Sequence, residues 1–202
     1  IELLDSFGDD LFFLIDVTGS MYDEIDNIQA RLQDTIVPGI AARIPDVAFG
    51  VAVFADFPVD VYGQSGLDTP FQLQLPISRD LVAVQGALDA LPRLDGHDGP
   101  ESQVEALYLT ATGEGVIWPS GPGWSGGSVP ASAGCPSGGN GYACFRRDAL
   151  PLIVLFSDAP FHNGSTGAET YGGWVPNAHG YLDAVRELVR LGVRVIGINS
   201  GD

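Results

Sequence analysis

Five stretches of this sequence are apolar and short enough to be strands, and apolar residues recur between them at helical spacing. Residues 10–16 are apolar almost throughout, as in a strand covered on both faces. Met21, Ile25, Ile28, Leu32 and Ile36 follow at spacings of four, three, four and four, one face of an amphipathic helix. Pro38 and Gly39 interrupt that pattern, and residues 40–44 read as a short second helical segment before Pro45. Residues 47–55 are the second continuous apolar run, ending at Asp56. Phe71, Leu73 and Leu75 alternate with glutamines, which marks a half-exposed edge strand. Ser78 stands where it would cap a helix carrying Leu81, Val84, Leu88 and Leu91. A turn-rich loop, residues 93–100, holds Asp95, His97 and Asp98. Glu101 opens a further helix with Val104, Leu107, Tyr108 and Ala111 inward and Gly113 as its stop. Residues 114–148 have little periodicity and read as a long insertion. A strand over 150–157 ends in Asp158, and a second long loop spans 159–177. Tyr181, Leu182, Val185, Leu188 and Val189 mark the last helix, closed by Gly192, and residues 193–199 are the fifth strand.

Strands alternating with helices give one α/β domain over residues 1–202. Its sheet is expected to be doubly wound and mostly parallel, with helices on both faces and one antiparallel edge strand. In such sheets ligands sit at the carboxyl ends of the strands, where the strand order reverses. Three strands end in an aspartate there: Asp16, Asp56 and Asp158. Acids gathered on one edge repel one another unless a cation lies between them. Asp16, Thr18 and Ser20 add hard oxygen ligands at alternate positions, and Gly19 lets the backbone turn, a pattern suited to Mg²⁺ or Ca²⁺. The same residues also suit a plain polar turn in which Ser20 caps the helix.

Charge and composition narrow the partners. With 26 acids against 9 basic residues the net charge is −17, which argues against a nucleic-acid partner. No run approaches the roughly 20 apolar residues of a membrane helix, and no basic and apolar targeting segment opens the sequence. Ten of the 27 glycines lie between Gly113 and Gly141, in the same segment as both cysteines, Cys135 and Cys144. A close pair in a flexible loop without neighbouring Cys or His ligands reads as a disulfide, hence an oxidising compartment, with Trp118 or Trp124 ordering the rest.

Four motifs in order carry a family resemblance. Residues 16–21, from Asp16 through Thr18 and Ser20 to Met21, resemble the metal-ion-dependent adhesion site of von Willebrand factor A domains. Residues 54–59, 98–101 and 152–159 resemble, in turn, three stretches of the integrin β-subunit I-like domain: the end of its second strand, its D-x-P-E loop and its fourth strand. The resemblance covers most of residues 10–200. It implies a central Mg²⁺ or Mn²⁺ site of Asp16, Thr18, Ser20, Glu101 and Asp158. It implies an adjacent Ca²⁺ site of the Ser20 carbonyl with Asp23 and Glu24, where the family has two aspartates. A third site, also for Ca²⁺, would use Asp56, Asp98, Glu101 and the carbonyls of Gly96 and Pro100. The family has asparagine at the position of Gly96, and Asp95 is the nearest substitute. The disulfide-bonded specificity loop of the integrin subunits is missing after Asp56. The A-domain pattern continues past Asn199 with one more strand and a helix, so the chain would be an excised piece or a sheet that ends early. The insertion, lying between a helix end and a strand start, is expected to face away from the metal.

The implied function is metal-dependent recognition: an extracellular or cell-surface domain, not an enzyme, that binds an Asp, Glu or C-terminal carboxylate of a protein partner. His162, Tyr171 and Trp174 are candidates for the partner surface, and His162 and His179 for contact with a ligand or metal. Alternatives are a structural Ca²⁺-stabilised surface domain and a metal-dependent hydrolase. Against the hydrolase, Thr18 stands where a dehalogenase-type phosphatase needs a second aspartate, and no Ser-His-Asp or Cys-His arrangement is evident.

Overall fold

The computed structural model describes residues 8–136 and 138–200. The remainder of the expected 1–202 domain lies outside the described residues. In chain order the elements are β1 (Gly8–Asp16), a 3₁₀ turn (Gly19–Met21), α1 (Tyr22–Arg31), a wide π turn (Leu32–Ile36), α2 (Val37–Ala41), β2 (Val47–Phe54), β3 (Gln72–Ser78), α3 (Leu81–Asp89) and α4 (Gln103–Thr112). A small hairpin follows, β4 (Val116–Trp118) and β5 (Gly127–Val129), then β6 (Ala149–Ser157), α5 (Tyr181–Leu191) and β7 (Arg194–Asn199).

The main sheet has the order β3-β2-β1-β6-β7. All its neighbours are parallel except β2 and β3. The fold is therefore α/β with a mixed, mostly parallel sheet. Alternation along the strands divides the core. Phe12 and Leu14 of β1 face Ala106 and Leu109 of α4 and Leu188 of α5. Phe13 and Ile15 face Met21, Ile25, Leu32, Val84 and Leu88 on the other side. Gly50 lies where a Cβ would come within 2.5 Å of the Phe12 ring, so this central strand needs a residue without a side chain there. Pro76 sits in β3, an edge strand, where a missing amide does not break a central ladder.

This topology builds the upper rim. The chain leaves β1 for β2 by way of α1 and α2, and leaves β1's other neighbour, β6, for β7 by way of α5, so strand order reverses between β1 and β6. Because α3 packs on one face and α4 on the other, the loop from Leu91 to Ser102 must cross the carboxyl ends of the strands. That loop carries Asp95, Gly96, Asp98 and Glu101.

Several local expectations are corrected. Pro38 does not interrupt the first helix. The turn before it widens, with the Val37 amide bonding to the Leu32 carbonyl, and this makes room for a ring that an unbroken α-helix would press against a carbonyl. Asp80, not Ser78, caps α3, accepting from the amides of Val82 and Ala83; Ser78 still belongs to the strand. The fourth helix begins at Gln103, and Glu101 precedes it in a bridge to Phe161. In α5 the buried residues are Ala184 and Leu188, whereas Tyr181, Leu182 and Val189 are exposed, because α5 covers only one flank of α4 and the sheet.

The insertion splits in two. Cys135 and Cys144 are disulfide-bonded, and the Ile77 amide donates to the Ala143 carbonyl at 2.8 Å, beside the amino end of β2 and far from Asp16. This half faces away, as expected. The β4–β5 hairpin does not: Trp118 packs edge-on to Phe57 at 5.6 Å and Trp124 meets Trp174 at 5.1 Å, both at the aspartate end of the sheet. Reducing the disulfide is expected to lower stability by about 2–3 kcal/mol, the loop-closure entropy of so short a loop. Denaturant midpoints with and without reductant measure it. An unchanged midpoint, or a loss of response to divalent ions on reduction, would contradict this placement. No helix among the described residues is long and apolar enough to cross a membrane.

Candidate metal centre

At the end of β1 the chain folds back on its own acid. Asp16 Oδ1 accepts from the Thr18 amide at 3.0 Å and the Thr18 hydroxyl at 2.7 Å. Its Oδ2 accepts from the Ser157 hydroxyl at 2.7 Å, which ties β1 to β6 at the reversal point. Ser20 Oγ donates to Asp158 Oδ1 at 2.9 Å and lies 3.3 Å from Thr18 Oγ1. The Gly19 amide donates to the Asp95 carbonyl at 2.7 Å, drawing the crossing loop over this turn. Asp16, Thr18, Ser20 and Asp158 thus form one group. Burial holds the Asp16 carboxyl up at about 6, with the charge of Asp158 adding to the rise and the Thr18 and Ser157 hydrogen bonds opposing it.

Glu101 is delivered by backbone pairing. The Glu101 amide donates to the Pro160 carbonyl, and the His162 amide donates to the Glu101 carbonyl, both at 2.9 Å. Ser102 Oγ donates to the Ala55 carbonyl at 2.7 Å, and Gln103 Nε2 donates to Ser157 Oγ at 2.9 Å, so the segment is pinned between the ends of β2 and β6. The Glu101 side chain is 3% exposed, and its Oε2 is buried with no hydrogen-bond partner. Burial, then the charges of Asp56, Asp16, Asp98 and Asp68, push its carboxyl up to about 11. Gly96 explains its own departure from the asparagine pattern. Its φ is +70°, and an added Cβ would lie 2.6 Å from Glu101 Oε1 and 3.2 Å from Thr18 Cγ2. A side chain at 96 would have to displace the end of the Glu101 side chain.

A second acidic group lies beside the first. Asp56 is fully buried; its Oδ1 accepts from the Phe57 amide at 2.6 Å and the Tyr171 hydroxyl at 2.5 Å. Its Oδ2 has no hydrogen-bond partner. Burial drives this carboxyl well above its ordinary range, with Asp98 and Asp68 adding to the rise. His162 Nε2 lies 3.0 Å from Asp98 Oδ2 and 3.5 Å from Asp56 Oδ2. Asp56, Asp98 and His162 are the described residues whose carboxylate and imidazole atoms gather within 4.8 Å of one another. Gly96 and Pro100 flank Asp98 in the same loop.

The structure relocates several expected residues. His162 and Tyr171 are 4% and 1% exposed, so they form no open patch with Trp174, which is 48% exposed. His179 is an anchor of the second long loop: its Nδ1 pairs with the buried Glu105 at 2.9 Å and its ring stacks on Tyr108. Asp95 holds its half-exposed carboxylate 3.9 Å from His97 Nε2. Asp23 and Glu24 occupy the first turn of α1, where Glu24 Oε2 is buried with no hydrogen-bond partner. One residue was missed. Asp68 is 5% exposed and accepts from the amides of Gln64 at 2.6 Å, Asp95 at 2.8 Å and Gly96 at 3.0 Å. It holds the crossing loop, but in the sequence it is only an acid in a Gly- and Pro-containing turn.

No arginine pairs with Asp16, Asp56, Asp98, Glu101 or Asp158 among the described residues, and the chain has no lysine. The donors are carboxylates, hydroxyls and one imidazole, and three of these acids, Asp56, Asp98 and Glu101, present buried, partnerless oxygens. This set suits a divalent cation.

No family model and no curated protein matches the sequence. Solved structures do match its fold. Proximal thread matrix protein 1 from the mussel byssus aligns with a TM-score of 0.53 at 14% identity, over 96% of this chain and 38% of that one. The pilus adhesin SpaC from Lactobacillus rhamnosus GG, in its open conformation, aligns with a TM-score of 0.53 at 13% identity, over 96% of this chain and 24% of that one. At such identities the likeness concerns the fold, and the chain spans well under half the length of either protein.

Proposed function

We propose that this chain is a von Willebrand A-type recognition domain of the integrin β I-like kind. In this reading it acts outside the cell or at its surface and binds an acidic group of a protein partner through a divalent ion. The observation that carries the reading is the group at the reversal between β1 and β6. There Asp16, Thr18, Ser20 and Asp158 are interlinked, and Glu101 brings a buried, partnerless oxygen that pairs with no arginine among the described residues. These five residues would hold Mg²⁺ or Mn²⁺, with Ca²⁺ at the flank near Asp23 and Glu24. Bound there, the ion would offer a coordination position to a partner's Asp, Glu or C-terminal carboxylate. The chain's own contribution is to supply neutral hydroxyls, which leave the cation electrophilic, and to fix them through the Asp16 hydrogen bonds. Recognition rather than catalysis is favoured because Thr18 and Ser20 hydrogen-bond to acids and to each other, and no imidazole pairs with either hydroxyl among the described residues. The disulfide and the fold shared with a pilus adhesin and a byssal thread protein support the extracellular placement.

The test uses a peptide array in which Asp, Glu and free C-termini are present or replaced by amides, probed in Mg²⁺ and in EDTA. Binding is expected for carboxylate peptides in Mg²⁺ alone. Asp16→Ala should weaken it more than tenfold while circular dichroism stays unchanged. Capture that is equal in EDTA, or by the Asp16→Ala protein, would overturn the reading.

A further inference from the structure

The second acidic group contains a nitrogen that an alkaline-earth site does not use. His162 Nδ1 lies 3.3 Å from the Glu169 carbonyl, and a carbonyl oxygen only accepts, so Nδ1 carries the hydrogen. Nε2 is then the atom directed at Asp98 and Asp56. This arrangement, with the far ring nitrogen donating to a backbone carbonyl, orients a metal-binding histidine and fixes its tautomer. The carbonyl is itself held in place. Glu169 is one of two described non-glycine residues with positive φ, at +49°, and its oxygen also accepts from the Asn163 amide at 2.7 Å. Strain of this kind persists where the surroundings over-determine it and is concentrated at functional sites. On the other side, Tyr171 and the Phe57 amide saturate Asp56 Oδ1, leaving Oδ2 buried, partnerless and aimed into the group. Asp98, partly exposed, gives the group a route to solvent.

We propose that Asp56, Asp98 and His162 form a site for a first-row transition-metal ion such as Zn²⁺ or Co²⁺, in preference to Ca²⁺. Hard alkaline-earth ions take oxygen ligands, whereas imidazole nitrogen favours the transition series. The backbone pairing of Glu101 with Pro160 and His162 brings the imidazole to the acids, in a place where position 96 offers no side-chain ligand. The inference uses none of Asp16, Thr18, Ser20 or Asp158, so it stands or falls apart from the recognition reading.

The experiment titrates EDTA-stripped protein with ZnCl₂ and with CaCl₂ by calorimetry, using the full chain, its Asp16→Ala variant and its His162→Gln variant. In the Asp16→Ala protein Zn²⁺ is expected to bind at least tenfold more tightly than Ca²⁺. His162→Gln should weaken Zn²⁺ at least tenfold and leave Ca²⁺ nearly unchanged. Because His162 is buried, a readout without its substitution is added: Mn²⁺ bound to the Asp16→Ala protein should show coupling to a directly bonded ¹⁴N nucleus in pulsed EPR. Absence of that coupling, or Zn²⁺ binding no tighter than Ca²⁺, would overturn the proposal. Loss of carboxylate-peptide binding in Asp16→Ala, with Zn²⁺ binding retained, would leave both readings intact.

Discussion

Replacing Arg146 by alanine is expected to lower the unfolding free energy by about 3–5 kcal/mol, the range for removing one partner of a buried ion pair. Arg146 closes the lower end of the sheet. Its Nε donates to Asp10 Oδ1 and its amide to Asp10 Oδ2, both at 2.6 Å. The rest of the guanidinium reaches Asp46 Oδ1 at 2.8 Å and the carbonyls of Asp46 and Asp9 at 3.0 and 3.2 Å. Asp10 is fully buried in β1, and burial already pushes its carboxyl up against the opposing pull of Arg146. Without the arginine it must either ionise in an apolar wall or take up a proton, and the end of the insertion loses its tether to β1 and β2. Most of the loss should return in the double variant Asp10→Leu, Arg146→Met, because two apolar groups do not need each other's charge. Urea denaturation at neutral pH measures all three proteins. A loss under about 1 kcal/mol for Arg146→Ala would show that the network contributes little, as exposed pairs do.

In the metal-free protein stability should fall as pH rises, and divalent ions should abolish that slope. The carboxyl of Asp16 stands at about 6 and that of Glu101 at about 11, both raised first by burial. A raised carboxyl binds its proton more tightly in the folded state than in the unfolded chain, so the folded state is penalised once the pH passes the unfolded value near 4. For Asp16 the penalty is complete above about 6, and for Glu101 it keeps growing toward about 11. Each acid contributes at most about 3 kcal/mol by pH 7. An ion bound among the carboxylates replaces those protons and adds RT ln(1 + [L]/Kd), about 2.7 kcal/mol at a hundredfold excess over Kd. Thermal melts in EDTA should therefore show a lower Tm at about pH 8 than at about pH 5, and Mg²⁺ or Mn²⁺ should raise the Tm at pH 8 most. A flat metal-free profile that no divalent ion alters would show that these acids hold no cation.

Much of the fold is legible along the chain because its signals are local. A continuous apolar run ending in an acid specifies a buried strand and its polar end, which is why β1, β2 and β6 and the terminal Asp16, Asp56 and Asp158 could be placed. The turn through Thr18 and Ser20 is legible for the same reason, since its ligands are two residues apart. Boundaries set by backbone geometry were less clear. Pro38 reads as a breaker unless the preceding turn widens, and widening leaves no mark in composition. The last helix reads as apolar on more sides than it buries, because the sequence does not say how much of it a neighbour covers.

What the sequence determined by itself is the order of the five main-sheet strands and the helices between them, the carboxyl-end placement of the acids and the proximity of Cys135 to Cys144. What tertiary structure alone decided is which distant residues complete each group. Asp68 reaches the loop of Asp95 and Gly96 across 27 and 28 positions, and His162 reaches Asp98 across 64. A lone aspartate or histidine in a loop carries no periodic signal, so nothing in the chain distinguishes it from a solvated surface residue. Its role is set when the crossing between the two faces carries Glu101 over the strand ends and pairs its backbone with Pro160 and His162. That pairing satisfies backbone groups that burial would otherwise leave unbonded, and it turns a loop histidine into a buried neighbour of two carboxylates.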